Sequence, residues 1–510
     1  MAENAKTADI TAIASPIAGL AESERRVLSY AAAMGLEFDW SVLKTAIEME
    51  EEPLAESLER LVHLGTLKEL NWGDSYAFVR VVALARTYSE ISSSRVRVIH
   101  KRIAEAYEKL HPDPTPDIIP EMGRHFYLGG VHEKSLLYNR YAAMLAKGAF
   151  SPDVAIHYLE RAREDIAALP GDHRVEGADV LREIGEQYRA MGDYARADEF
   201  YGESLKELPE EEVTMRALLL LSRSDAVRVS DKLGLARQYC EEAIQLLEKL
   251  GHRKGLALAH RSLARTAYKE EQFEVGKKEI EATLALLDPE KDAEEVARCY
   301  IEFGNVLAAM NGPEYYDKAL EYFHKAIQAL EPLHDYQEIA RAHNSIGVTI
   351  MVAHPREGLM ELIEARKYAE MCKDRRFIGW ALFNSVEPLL ALGEEAEASR
   401  NNAEARRILS KLDDQLGLQQ IALNEGMLAQ HRKAYEESEK AYTDSMKIAE
   451  NLGYHTATAE VLLHLAKLYV DWGRTDEAIK VLSRISEMGK DIVDPSLVPA
   501  LEELRERLGV

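Results

Sequence analysis

Cysteine is scarce in this chain: three thiols, Cys240, Cys299 and Cys372, serve 510 residues, and none belongs to a CxxC pair. One would stay unpaired in any intramolecular scheme, so a disulfide framework is excluded and a reducing compartment, the cytoplasm, is expected. Positive charge is also short, with 63 Lys and Arg against 88 Asp and Glu and a formal net charge of -25. Nucleic acid and anionic membranes are polyanions, so neither is expected as a partner. No run approaches the ~18 apolar residues of a membrane helix. The opening MAENAKTADITAIASPIAGL has no cationic start leading into an unbroken apolar stretch, and Pro16 interrupts it, so residues 1–20 read as a flexible tail rather than a signal peptide.

Catalytic signatures are missing too. The sixteen histidines form no HExxH, and there is no zinc-spaced Cys/His cluster, GxSxG, GxGxxG or calcium loop. His125 and His132, separated by Gly129 and Gly130, read as a surface and cap pair rather than as metal ligands. No catalytic, cofactor or metal site is nominated, and the chain reads as non-enzymatic.

What is present is a period. The stretch IGEQYRAMGDYARADEFYGESLKELP, residues 184–209, has a small residue, Gly185, late in one helical pattern, then a turn at GDY and a second helix. Counterparts of Gly185 occur at Ser222, Ala264, Gly304, Gly347, Val386, Gly426 and Ala466, at steps of 37, 42, 40, 43, 39, 40 and 40 residues. Each second helix carries a small residue followed four later by a larger one: Ala197/Tyr201, Ala236/Cys240, Ala319/Phe323, Ser438/Tyr442 and Ala478/Leu482. Small residues let helix backbones approach and the bulky partner fills the groove beside them. A repeat of this length predicts an all-α solenoid of helical hairpins, eight of them over 178–488. Two irregular units precede them over 113–177, and PSLVPALEELRERL in 489–510 reads as a capping helix.

Ile184, Gly185, Tyr188, Gly192, Tyr194, Ala197, Tyr201 and Pro209 match the tetratricopeptide-repeat pattern, which this chain therefore resembles. The period exceeds the usual 34 residues, so longer helices are expected; the spacing looks like that of the long repeats of Pins-type adaptors, bacterial Rap proteins and the maltose-regulon activator. The resemblance implies a protein-interaction scaffold.

Ahead of the repeats, 22–33, 40–48 and 53–64 carry helical patterns, and TLKEL and SYAFVR read as two strands joined by NWGD. Three helices and a hairpin predict a winged-helix domain within 21–112. Such a domain holds DNA through its third helix, but here that helix and its lead-in bring Glu50, Glu51, Glu52, Glu56 and Glu59 against Arg60. Carboxylates there favour packing or protein contact over phosphate. LSYAAAMGLEFDWSVLKTAI, LERLVHLGTL, RVRVIHKRIAEAYEKL and AMLAKGAFSPDVAIHYLERA, spanning roughly 21–170, look like the region after the nucleotide-binding module of STAND-class signal-transduction ATPases. The chain has no GxxxxGK[ST] loop, so the resemblance implies a sensor and adaptor without the motor. It also implies structural roles for Phe78, Arg80, Tyr88, Arg95 and His100.

Counting the small residue as position eight, first-helix positions two, five and nine form one helical stripe facing the inner side of the repeats. Arg182 takes position five in its unit; then come Arg216 and Arg223, Arg261 and Arg265, Arg298 and Asn305, and Arg341 and Asn344. Arginine forks onto carboxylate or phosphate and asparagine pairs with a peptide unit, so the stripe is expected to hold a protein or peptide, acidic or phosphorylated. The bland alternative is ion pairing with neighbouring helices. Farther on, the stripe becomes Trp380, Phe383 and Glu387, then Gln420, Leu423 and Met427. The expected function is a regulatory adaptor; a DNA-binding regulator and a sensor subunit docked on a separate ATPase are the other readings.

Overall fold

The computed structural model describes residues 19–149, 151–229, 232–310, 313–412, 414–452, 455–488 and 497–509. All but the last two residues of the expected tail over 1–20 lie outside them, and Leu20 is already buried in the first core. The chain divides into two compact units, Met1–Pro209 and Glu210–Val510.

The first unit opens with α1 (Glu22–Met34), β1 (Glu37–Asp39), α2 (Trp40–Ile47), α3 (Glu51–His63), β2 (Leu67–Leu70) and β3 (Ser75–Phe78), followed by α4 (Val81–Ser89) and α5 (Ser93–Leu110). The three strands are antiparallel in the order β1-β3-β2, with Phe38 and Glu69 both opposite Tyr76. This is a winged-helix-like domain, its helices and hairpin where the apolar patterns put them. The third strand, β1, was not legible: three residues EFD bury one side chain, Phe38, too short a run for alternation to register. Val27, Leu28, Leu43, Ile47, Leu54, Leu58 and Leu61 make the core beneath.

Helical hairpins follow: α6 (Ile119–Gly129), α7 (His132–Gly148), α8 (Pro152–Ala168), α9 (Arg174–Ala190) and α10 (Tyr194–Glu207). The second unit continues with α11 (Val213–Val229), α12 (Leu233–Leu250), α13 (Arg253–Lys269), α14 (Phe273–Leu286), α15 (Ala293–Ala309), α16 (Pro313–Leu330), α17 (Tyr336–Ile350) and α18 (Pro355–Met371). Then come α19 (Arg375–Asn384), α20 (Val386–Ala391), α21 (Glu395–Lys411), α22 (Gln415–His431), α23 (Tyr435–Leu452), α24 (His455–Trp472), α25 (Thr475–Glu487) and α26 (Val498–Leu508). First helices begin on a repeated device: Asp335, Asp374 and Asp414 each accept the backbone N–H three residues on, satisfying a donor the helix leaves orphaned.

The small slot is a steric requirement. A Cβ on Gly185 would lie 2.7 Å from the Tyr201 ring and one on Gly347 2.7 Å from Leu362, while Gly304 and Gly426 lie against Phe323 and Tyr442. Tyr201, Phe323 and Tyr442 are fully buried, so the aromatics of the opening motif are core, not contact surface. In the sixth repeat the first helix breaks between α19 and α20. Pro388 has no N–H for the Asn384 carbonyl, and Val386 fills the small slot beside Ala398. Buried amides stitch the break: Asn424 Nδ2 donates to the Phe383 carbonyl at 2.9 Å, and Asn402 Nδ2 to that of Ile421 at 3.2 Å.

One register needs correction. The sequence places the second small slot at Ser222; in the structure Ser224 holds it, its hydroxyl donating to the Ala236 carbonyl at 3.0 Å beside Cys240. Two serines within three residues, preceded by Leu218–Leu221, left the phase ambiguous. Arg216 and Arg223 therefore leave positions two and nine, which Leu218 and Asp225 occupy instead.

Candidate functional site

The first helices α11, α13, α15 and α17 of the second unit bring arginines and carboxylates together on one face. Arg261 is bound to Glu295 and lies 4.0 Å from Glu302. Arg265 lies 3.6 Å from Asp225 and 3.8 Å from Glu302. Arg298 meets Glu294 at 2.5 Å, Glu295 and Glu338 at 3.4 Å and Asp335 at 3.7 Å, and Arg341 meets Glu338 at 3.0 Å. Arg228, buried on α11, is bound to Asp225. The arginines from Arg261 to Arg341 are thus linked through shared acids one turn away, which position counting alone did not include.

Glu302 sits at the centre of this ladder. Burial pushes its carboxyl above the ordinary range, against the pull of Arg261, Arg265, Arg341 and Arg228. Its Oε2 has no hydrogen-bond partner among the described residues. Arg265 reaches its two acids only at ion-pair distance, makes no hydrogen bond to a described residue, and is 38% exposed. Its guanidinium donors are unspent.

The remaining predicted residues divide. Asn305 is half-buried on α15 with no hydrogen bond to a described residue. The Asn344 side-chain Oδ1 accepts from Asn384 Nδ2 at 2.9 Å, a rung between consecutive repeats. The Arg223 guanidinium stacks 4.5 Å over the Tyr239 ring, and Arg216 is half-buried. Trp380 donates to Asp414 at 3.0 Å, while Phe383 and Leu423 belong to the core.

Arg182 stands in the first unit, on α9. It pairs with Asp179 at 2.6 Å and with Glu186. Across from it, α7 lies one repeat earlier, because Ala143 precedes Ala155 and Leu159 by the same intervals as Gly185 precedes Ala197 and Tyr201. α7 and α8 are therefore spaced like the later hairpins. The stripe on α7 is Leu137, Arg140 and Met144. Arg140 bridges to Asp179 at 2.7 Å and Glu183 at 2.6 Å, and Lys147 is bound to Glu183. Above these pairs opens a groove of about 730 Å³ whose α7 wall carries Leu136, Leu137, Tyr141 and Met144 and whose α9 wall carries Arg182, Glu183 and Glu186. Leu137, Tyr141 and Met144 are 49%, 45% and 58% exposed. Their spacing of four and three is in the sequence, and the second-helix register of Ala155, Leu159 and Ala162 was legible there too; the stripe on α7 was not read from it.

Where the winged-helix-like domain meets α6, a buried hydrogen-bonded chain runs from Tyr88 to Arg124. Tyr88 Oη is 2.8 Å from His100 Nε2, His100 Nδ1 is 2.8 Å from His125 Nδ1, and Arg124 Nη2 is 3.0 Å from His125 Nε2. Arginine can only donate, so His125 accepts at Nε2, carries its proton on Nδ1, donates it to His100 Nδ1, and leaves His100 protonated at Nε2. Both rings are neutral. Burial and the Arg124 charge hold His100 down to about 4 and His125 well below its ordinary value. His125 is thus no surface residue, and His132 binds Asp165 at 2.8 Å instead. Phe78, Tyr88 and His100 orient α5 on the domain; Arg80 and Arg95 are exposed and do not. Among the described residues no group of three or more His, Cys, Asp or Glu could hold a metal ion, and no helix is long and apolar enough to cross a membrane.

A family model described as tetratricopeptide repeat matches residues 418–491, which span α22 to α25 and so coincide with two of the hairpins. No curated protein matches the chain. Among solved structures, a STAND signal-transduction ATPase with a tetratricopeptide-repeat sensor from Pyrococcus horikoshii aligns at 14% identity and a TM-score of 0.46, over 96% of this chain and 66% of its own. The chain therefore spans just under two thirds of that relative's length. The apo quorum sensor NprR of B. thuringiensis aligns at 13% identity and a TM-score of 0.49, over 69% of this chain and 95% of its own. Aspartyl phosphate phosphatase F of Bacillus subtilis aligns at 14% and 0.47, over 69% and 94%.

Proposed function

We propose that this tetratricopeptide-repeat chain is a non-enzymatic cytoplasmic adaptor that holds a segment of a partner protein on the inner stripe of its first helices. The observation that carries the reading is the groove between α7 and α9, where Leu137, Tyr141 and Met144 stay exposed on a single helical stripe beside Arg140, Lys147 and Arg182. A soluble chain that can bury such a stripe and does not keeps it for another molecule. Its volume falls within the range of ligand clefts, enough for a few side chains of an extended segment. Apolar side chains of that segment would supply the affinity, because Arg140, Lys147 and Arg182 are already paired with Asp179, Glu183 and Glu186.

In the second unit, Arg265 and Asn305 offer unspent donors on adjacent helices for a ligand carboxylate and a peptide group. Arg261, Arg298 and Arg341 are proposed to position them through the acids they share, and Arg216, Arg223 and Asn344 to hold neighbouring elements. The test is quantitative co-purification of the tagged full chain against two variants, the pair Leu137→Asp with Met144→Asp, and Arg265→Glu. Partners lost from variants whose far-ultraviolet circular dichroism is unchanged support the reading. An unchanged set of partners overturns it.

A further inference from the structure

The hairpin joining β2 to β3 ends in a side chain that the fold does not use. Trp72 is fully exposed, at 102% of its reference area, and sits with φ 57 and ψ 34 between Asn71 at φ 48 and Gly73 at φ 90. A large apolar residue in the left-handed region with no buried contact contributes nothing to the core while costing backbone strain.

Around it the charge has one sign. Glu69 stands directly opposite Tyr76 and approaches Gly73, and the charge of Glu59 on α3 acts on the same tyrosine, so α3 and the turn share one electrostatic neighbourhood. Glu52, Glu56, Glu59, Glu69 and Asp74 are exposed and have no cationic partner among the described residues. The cations nearby are spent or turned away: Arg60 is bound to Glu24 at 2.8 Å, Lys44 to Glu51 at 2.5 Å, and Lys68 alternates to the other face of β2.

We propose that α3 and the β2–β3 turn form a second docking face, distinct from the inner stripe, for an arginine- or lysine-rich segment of a partner protein. Its cation would stack on the Trp72 indole and its neighbours would pair with Glu59, Glu69 and Asp74. The two features converge on one chemistry, because an indole face and unpaired carboxylates both attract cations. Phosphate, whether of DNA or of an anionic bilayer, meets repulsion on the same face.

The test uses the full chain and fluorescence anisotropy with three labelled probes: a synthetic peptide of alternating Arg and Ser, its Glu-for-Arg counterpart, and a mixed-sequence DNA duplex. The Arg peptide should bind saturably and more weakly as salt rises. Trp72→Ala should weaken it about threefold to tenfold, and Glu59→Gln with Glu69→Gln by at least as much, while Leu137→Asp with Met144→Asp leaves it unchanged. Thermal unfolding of Trp72→Ala should match the parent, since the side chain packs against nothing. Binding indifferent to Trp72 and to Glu59 and Glu69 would reduce the effect to attraction by net charge and overturn the proposal. Tighter binding of the duplex than of the Arg peptide would overturn it in favour of a DNA face.

Discussion

Between α7 and α9 the stripe positions set Leu137, Arg140 and Met144 against Asp179, Arg182 and Glu186; between α13 and α15 they set Leu258, Arg261 and Arg265 against Arg298, Ile301 and Asn305. The first pair of helices spends its ions on one another low in the groove and leaves apolar side chains uncovered. The second pair recruits Glu295 and Glu302 from beside the stripe and becomes a nearly self-satisfied ladder. The difference teaches that a row of arginines at binding positions is not yet a binding surface. What decides is whether the acids that can reach them sit on the same rungs.

The comparison breaks most sharply in stability. Arg261→Glu would set three carboxylates together where Glu302 is only 18% exposed, and should cost the second unit ~2–4 kcal/mol, read as a lower midpoint in urea. An unchanged midpoint would show that the ladder is not structural and would return Arg261 to the ligand side. Lysine there, which keeps the charge but not the fork, should recover part of the loss.

Acid should separate the units by their buried histidines. His100, held near 4 against an unfolded value of 6.5, binds fewer protons folded than unfolded between those values, so its contribution is whole above about pH 6.5 and is lost as pH falls toward 4. The loss is about 3 kcal/mol, and His125 adds to it in the same direction. The second unit has His464, also lowered to about 4 by burial. Thermal scans from pH 7 to 4 should therefore show the first unit weakening more. A His125→Gln variant with an unaltered pH profile would count against the neutral-ring chain.

Gly304→Ala tests the repeat fit common to both units: with the Phe323 ring against the missing Cβ, overpacking should cost ~1–3 kcal/mol in chemical denaturation. The smallest effect on stability is expected from Met144→Asp. Exposed and outside the core, Met144 should change stability by no more than about 0.5 kcal/mol while partner capture falls about tenfold or more in quantitative co-purification. Equal losses of fold and capture would erase the distinction between groove and ladder.

Much of this was legible beforehand. Steps near forty residues, the small slots at Gly185, Gly304, Gly347 and Gly426, and the large residues that fill them state their own geometry, since a Cβ at those places has nowhere to go. The winged-helix-like domain was legible because its helices and hairpin are amphipathic in the usual periods; β1 was not, being three residues long. The phase of α11 slipped by two residues where Ser222 and Ser224 compete. Ala155, Leu159 and Ala162 were legible as second-helix positions, but the slot at Ala143 on α7 was not counted with the others.

The sequence by itself determined the repeat, the small slots at Gly185, Gly304, Gly347 and Gly426 and the acidity of α3, because these follow from periodicity and composition. Only the tertiary structure decided which charges cancel. Arg140 meets Asp179 and Glu183 from nearly forty positions or more away, Arg261 meets Glu302 about as far, and His100 meets His125 across an element boundary. Coulomb attraction and hydrogen bonding act over a few ångströms, so their partners are fixed by how helices pack, and no local pattern of residues records that.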